Sequence, residues 1–199
     1  MDCCYQVYSR FHKCCNTELV LLDFFNQPLE PYGLPTGLTH LTFGKMFSQL
    51  LQPCQLPAGL THLTFGAYFD EPLQLDELPA GLTHLTFGKW FRQPLQLDEF
   101  PAGLTHLTFG KRFDQSIEPG ELPSGLTHLT LGEMFDQPIL PGALPASLTN
   151  LCFRGQPPVQ SNKIKKKKIK KFIYVLQTRC SGGSSTRPDC QHACSQPQT

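Results

Sequence analysis

Long apolar runs are missing from this chain of 199 residues. The most extended near either end, Phe172–Leu176, is five residues long. A helix crossing a bilayer needs about 20, so no membrane span is expected. No apolar stretch of leader length follows the N-terminus, and Leu19–Phe25 is interrupted by Asp23. The chain is therefore expected to be intracellular, cytoplasmic or nuclear, with its nine cysteines reduced. Those cysteines are odd in number and scattered. Cys190, His192 and Cys194 lack the spacing of a zinc site, and the adjacent pairs Cys3-Cys4 and Cys14-Cys15 disfavour simple knuckles. Neither a metal nor another cofactor is expected. Proline and glycine are plentiful instead, at 18 and 16 residues. That excludes a helical bundle, because proline breaks helices and glycine weakens them.

Net charge is also nearly absent, at +1, but the average hides opposite segments. Residues 1–33 carry four acidic side chains against Arg10 and Lys13, a net of −2. Residues 34–153 hold eleven acidic and five basic residues, a net of −6. Residues 154–199 hold seven Lys and three Arg against Asp189, a net of +9. An acidic body is joined to a basic tail.

Repetition decides the architecture of the body. The run Leu-Pro-Ala-Gly-Leu-Thr-His-Leu-Thr-Phe-Gly starts, with small variations, at Leu34, Leu56, Leu78, Phe100 and Leu122, and in worn form at Leu144, always 22 residues on. Three residues past each closing Gly stands Phe47, Phe69, Phe91, Phe113 or Phe135. One period further back, a worn first unit begins near His12. A 22-residue unit cannot bury a core alone, so each must share its apolar face with its neighbours. Alternation sets Leu41 and Phe43 on one side of a short strand and His40 and Thr42 on the other. The Gly after the strand is expected to end it in a turn. Leu-Pro-x-Gly upstream is expected to be a second turn, with Pro fixing φ and Gly free to take positive φ. Stacked coils would build a parallel sheet with ladders of Leu, Phe and Phe inside.

The unit resembles the FNIP repeat, a leucine-rich-repeat-like module of the form LP-x-G/S-L/V-T-H-L-x-F-G-x-x-F-N-Q-P-I/L. The matching tetrapeptides are Phe25-Asn26-Gln27-Pro28, Phe69-Asp70-Glu71-Pro72, Phe91-Arg92-Gln93-Pro94 and Phe135-Asp136-Gln137-Pro138. The resemblance covers roughly residues 12–153. It implies an all-β, leucine-rich-repeat-like solenoid of 22-residue coils with a parallel sheet. The expected organisation is an N-terminal segment over 1–11, the solenoid over 12–160, and a disordered tail over 161–199 that is basic and then rich in Ser, Gln, Gly and Pro. The Asn of the family pattern survives only at Asn26, so no continuous Asn ladder is expected. Family members often carry an F-box or a kinase domain; residues 1–33 are too few for a kinase and show no amphipathic helical pattern.

Several candidate sites follow. His40, His62, His84, His106 and His128 would stand about 4.8 Å apart in a row. Such a row supplies two metal ligands easily but a tetrahedral set poorly, and no carboxylate recurs beside it. It could instead form a pH-sensitive surface, whose self-repelling protonation would spread below about pH 6.5. It could equally be copied sequence on a solvated face, since duplication repeats every residue. The varied positions expected to be exposed are the two after the turn Gly: Lys45-Met46, Ala67-Tyr68, Lys89-Trp90, Lys111-Arg112 and Glu133-Met134. Tyr68, Trp90 and Arg112 are the residue types that anchor interfaces. The acidic pairs Asp76-Glu77 and Asp98-Glu99 are expected to be solvated in connecting turns. In the tail, Lys163, Lys165, Lys166, Lys167, Lys168, Lys170 and Lys171 suit nuclear import, a nucleic-acid contact or an anionic surface, and charge density alone does not separate these.

The same surface presented five times offers no constellation of unlike groups for catalysis. The expected function is a non-enzymatic protein-interaction scaffold. The alternative is a nucleic-acid- or anion-binding protein acting through its tail.

Overall fold

The computed structural model describes residues 11–15, 17–74, 77–97 and 99–154, all within one compact unit. The lysine-rich run, the C-terminal cysteines, Cys3, Cys4, Asp76 and Asp98 lie outside the described residues. One eight-stranded sheet runs in sequence order: β1 (Phe11–Cys15), β2 (Glu18–Leu21), β3 (His40–Thr42), β4 (His62–Thr64), β5 (His84–Thr86), β6 (His106–Thr108), β7 (His128–Leu131) and β8 (Asn150–Phe153). From β2 onward every pair is parallel, and each residue faces its copy one coil away: His62 faces His84, Leu63 faces Leu85, Thr64 faces Thr86. No helix occurs among the described residues. The first pair departs from the pattern, since β1 is antiparallel to β2. It covers the outer edge of β2, which would otherwise present unpaired main-chain groups.

Two-residue alternation sends the middle Leu of each strand inward, and Leu19, Leu41, Leu63, Leu85, Leu107 and Leu129 are buried. Two phenylalanine columns fill the interior behind them. In one, Phe43, Phe65, Phe87 and Phe109 stack at centroid distances of 5.5 Å. In the other, Phe25, Phe47, Phe69, Phe91, Phe113 and Phe135 stack at 6.1 to 6.3 Å. The columns interlock within a coil, with Phe65 and Phe69 at 3.9 Å. After the second Phe the chain returns through Leu29, Leu51, Leu73, Leu95, Ile117 and Ile139, all buried. The Pro at several return segments keeps them extended.

Across the sheet, the histidine rings stack at only 4.1 Å. Strands in a sheet lie about 4.8 Å apart. Spacing thus widens from histidines through backbone to the deepest phenylalanines, and the sheet curves with its histidines on the concave side.

The glycines serve different ends from those the turn rules suggest. Gly59, Gly81, Gly103 and Gly125 of the Leu-Pro-x-Gly turns do not take positive φ. The turn closes through the N–H of Leu60 donating to Pro57 O (3.0 Å), and likewise Leu82 to Pro79. Positive φ occurs instead at Gly120 and Gly142, and at Tyr32 and Cys54. The Gly after each strand is required by contact. A Cβ on Gly66, Gly88 or Gly110 would lie 1.7 to 1.8 Å from the carbonyl oxygen of the equivalent Gly one coil back. No side chain fits between two main chains at that separation.

Gly88→Ala is therefore expected to cost about 3 kcal/mol or more of unfolding free energy, because backbone must move. Gly81→Ala, whose Cβ would meet Ala58 O at 3.4 Å, should change stability by less than about 1 kcal/mol. Denaturant unfolding followed by circular dichroism separates the two, and equal costs would refute the contact argument.

Candidate functional site

Three residue columns carry chemistry. The first is on the concave face. Each histidine follows a threonine that precedes the strand, and that hydroxyl donates to a main-chain carbonyl one coil back: Thr61 to Thr39 O (3.0 Å), Thr83 to Thr61 O (3.1 Å), Thr105 to Thr83 O (3.1 Å). The same oxygen lies 2.8 to 2.9 Å from Nδ1 of the following histidine in all five coils. A hydroxyl has one proton, and it is already committed to the carbonyl. Nδ1 must therefore carry the hydrogen and donate to the threonine oxygen. Every rung has the same tautomer, with Nε2 left as a lone pair pointing away from the threonine. Stacking covers the ring faces, so His62, His84, His106 and His128 are half-buried and only His40 counts as exposed.

Near-parallel rings, tilted by 10 to 14°, send those lone pairs side by side. A chelating site needs ligands that converge. Among the described residues no group of three or more His, Cys, Asp or Glu could hold a metal ion. Burial, and then the neighbouring histidines, push the pKa of His62 and His84 below the ordinary 6.5; for His106 the causes are burial and His128.

The second column lies just past the C-terminal ends of the strands, where the units differ. Tyr68 and Trp90 stack at 6.0 Å and 15°. The Arg112 guanidinium sits 3.7 Å above the Trp90 ring, and the Lys89 ammonium lies 5.6 Å from it. Such contacts contribute about 0.5–1 kcal/mol each at exposed sites. Met46 and Met134 extend the stripe at its two ends, at 43% and 53% exposure, and Tyr68 is 48% exposed. Main-chain bonds hold the register: Tyr68 N–H donates to Lys45 O, Trp90 to Ala67 O, Arg112 to Lys89 O (2.9 to 3.0 Å). Flanking cations are paired, Lys45 with Asp23, Lys111 with Glu133 and Arg92 with Asp70. The structure thus gathers Tyr68, Trp90 and Arg112 into one stack, apart from the histidine row.

The third column lies in the connecting turns, where Glu77 and Glu99 are not solvated as expected. Glu77 and Glu99 are buried, at 3% and 4% exposure, with Gln55 in the same position two coils before Glu99. Each side chain folds back on its own turn: Glu77 accepts from Gln74 N–H, Glu99 from Gln96 N–H and Glu121 from Glu118 N–H, at 2.7 to 2.8 Å. Removal from water pushes the Glu99 carboxyl up to about 7, helped by Glu121 and Glu77.

The Asn position is also used. Asn26 Oδ1 accepts from Ser48 N–H (3.0 Å), Asp70 Oδ1 from Arg92 N–H (2.7 Å) and Asp114 Oδ1 from Asp136 N–H (2.7 Å). Aspartate replaces asparagine as acceptor, and these bonds fall on every second coil. Gln93 and Gln115 add bonds to the main-chain oxygens of Asp70 and Arg92 (2.6 and 2.7 Å).

The family model for the FNIP repeat matches at residues 25–68, 47–90, 69–112, 91–133 and 113–155. The chain belongs to the FNIP-repeat family. Among solved structures, it is similar to CroV588, described as a novel circular LRR protein structure, at 48% identity and a TM-score of 0.67. That similarity covers 69% of this FNIP-repeat chain and 20% of CroV588, so the chain spans about a fifth of that protein. Comparison with curated proteins found no match. No helix among the described residues is long and apolar enough to cross a membrane.

Two results are expected from the histidine column. Nitrogen-15 spectra at pH 7.5 should show the Nδ1–H tautomer at His62, His84 and His106, and an Nε2–H tautomer there would contradict the threonine network. Each should titrate below 6.5. Because the folded values lie below the unfolded one, the stability these neutral rings contribute is complete above pH 6.5 and is lost as pH falls through the folded values.

Proposed function

We propose that the chain is a non-enzymatic protein-interaction scaffold that binds through the Met46–Tyr68–Trp90–Arg112–Met134 stripe. The observation that carries this reading is the Tyr68–Trp90–Arg112 stack. It is an ordered, partly exposed run of aromatic and guanidinium groups at the two positions after the turn Gly, which vary from coil to coil. Tyr, Trp and Arg dominate the energetics of interfaces: Tyr and Trp bury large area with few rotatable bonds, and Arg adds a planar fork of donors. Methionine at either end supplies an adaptable apolar margin. The solenoid fixes the spacing between these side chains before any partner arrives, which lowers the ordering cost of association. The fold supports the non-enzymatic reading as well, since the same coil surface recurs without an insertion that could hold unlike catalytic groups.

The test is a photoreactive residue placed at Tyr68, with a control at Leu97, which is 65% exposed on the connecting segment. Crosslinked partners are expected from position 68 and not from 97. Trp90→Ala with Arg112→Ala should weaken capture of those partners at least tenfold, consistent with the loss of about 1.4 kcal/mol or more from a central anchor. Equal capture by the native and doubly substituted chains would refute the reading. If binding instead falls steeply with salt and disappears on deleting 161–176, the tail is the binding element.

A further inference from the structure

Within the glutamate column, one position shows what its neighbours need. Gln55 and Glu99 occupy the same place in the coil, and both accept a hydrogen bond from the main-chain N–H three residues earlier, at 2.8 Å. Gln55 uses its second polar atom as a donor: Nε2–H reaches the carbonyl oxygen of Leu29 on the preceding coil at 2.6 Å, and the bond is buried. Glu99 has an oxygen there. That oxygen, Oε1, is buried and has no hydrogen-bond partner. The carbonyl corresponding to Leu29 O, 26 residues before Glu99, belongs to Leu73. A carboxylate cannot donate to a carbonyl, whereas a neutral carboxyl can. Its O–H is the nearest chemical equivalent of the Gln55 amide N–H.

We propose that Glu99 is a proton-operated latch: it is held as the neutral carboxylic acid, donates through Oε1 toward the Leu73 carbonyl as Gln55 does to Leu29, and releases this side of the coil stack when it ionises. Two further observations agree. The charged groups acting on Glu99 are Glu121 and Glu77, one on each neighbouring coil, and both are acidic. They favour the neutral form, and among the described residues no cation adds to the balance around Glu99. The column also fades toward its ends, with Gln55 before Glu77 and Ala143 after Glu121. Glu99, in the middle, has a glutamate on both sides and is the one pushed furthest, with burial as the first cause.

A carboxyl whose folded pKa lies above its unfolded value binds its proton more tightly in the folded chain. Its stabilising contribution is present at low pH and is lost as pH rises toward the folded value near 7. This slope is opposite to that of the histidine row, so the two must be separated by substitution. Glu99→Gln replaces the acid with a permanent donor of the kind Gln55 already supplies.

The full-length chain is titrated by carbon-13 carboxyl spectroscopy, and the native and E99Q chains are unfolded in denaturant at pH 5, 6, 7 and 8. Glu99 is expected to titrate near neutrality, well above an ordinary glutamate. Relative to E99Q, the folded-to-unfolded ratio of the native chain should fall about sixfold per pH unit between pH 5 and 7, because the one-proton slope halves at the folded value. A Glu99 midpoint near 4.5, or native and E99Q midpoints that move in parallel with pH, would overturn the proposal. If E99Q does not fold, the carboxyl titration of the native chain decides alone.

Discussion

Main-chain contact between successive coils is the constraint on which the remaining structure depends. At Gly44, Gly66, Gly88, Gly110 and Gly132 the backbone of one coil lies against a carbonyl of the coil before it, too close for a Cβ. That contact fixes the distance between coils and the register at the C-terminal end of each strand. Other columns inherit the spacing. The phenylalanines stack, the threonine hydroxyls find carbonyls 22 residues away, and the histidine rings lie face to face because the backbone has already set equivalent atoms opposite one another.

Much of this was legible in the sequence. An invariant 22-residue period, a two-residue alternation around His-Leu-Thr and a Phe three positions past each Gly required a parallel sheet with three inner ladders, and Leu41, Phe43 and Phe47 are buried in that arrangement. Other features were hidden for identifiable reasons. The need for Gly88 is steric and arises between coils, so turn chemistry within one coil points to the wrong cause. Glu99 looks like surface because charged residues in connecting segments usually are. It is nonetheless buried beside Phe100, which follows it in sequence and is itself in the core. The threonine ahead of each histidine lies outside the strand, and its role appears only when the carbonyl one coil back is in place. Asp70 and Asp114 look like losses of the family's asparagine, yet an aspartate oxygen accepts the same main-chain hydrogen bond.

Polar columns run through the molecule for different physical reasons. On the concave face, neutral imidazoles are held by hydroxyls that are themselves held by the backbone, so tautomer and orientation descend from the main chain. On the connecting segments, carboxyl groups close their own turns while losing contact with water. Beyond the strand ends, an aromatic stack is covered by a guanidinium and remains partly open to solvent. The first column is copied with every regular coil, and the second runs through Glu77, Glu99 and Glu121. The third varies from coil to coil without disturbing the inner ladders, because its side chains project from positions whose main-chain bonds are already satisfied.

The uniform register has a consequence for how the chain acquires its structure. Parallel strand partners, threonine bonds and stacks between equivalent rings join residues 22 positions apart, the bonds of Gln93 and Gln115 span 23, and that of Gln55 spans 26. The entropy of closing a loop grows only slowly with its length and is the same for loops of the same length. No coil is therefore harder to add than another on that ground, and none requires the chain's distant ends to meet. Folding can begin at any adjacent pair of coils and spread outward one unit at a time, as in other linear arrays. Parallel sheets ordinarily fold slowly because their strands are distant in sequence; here short, equal crossovers remove that obstacle.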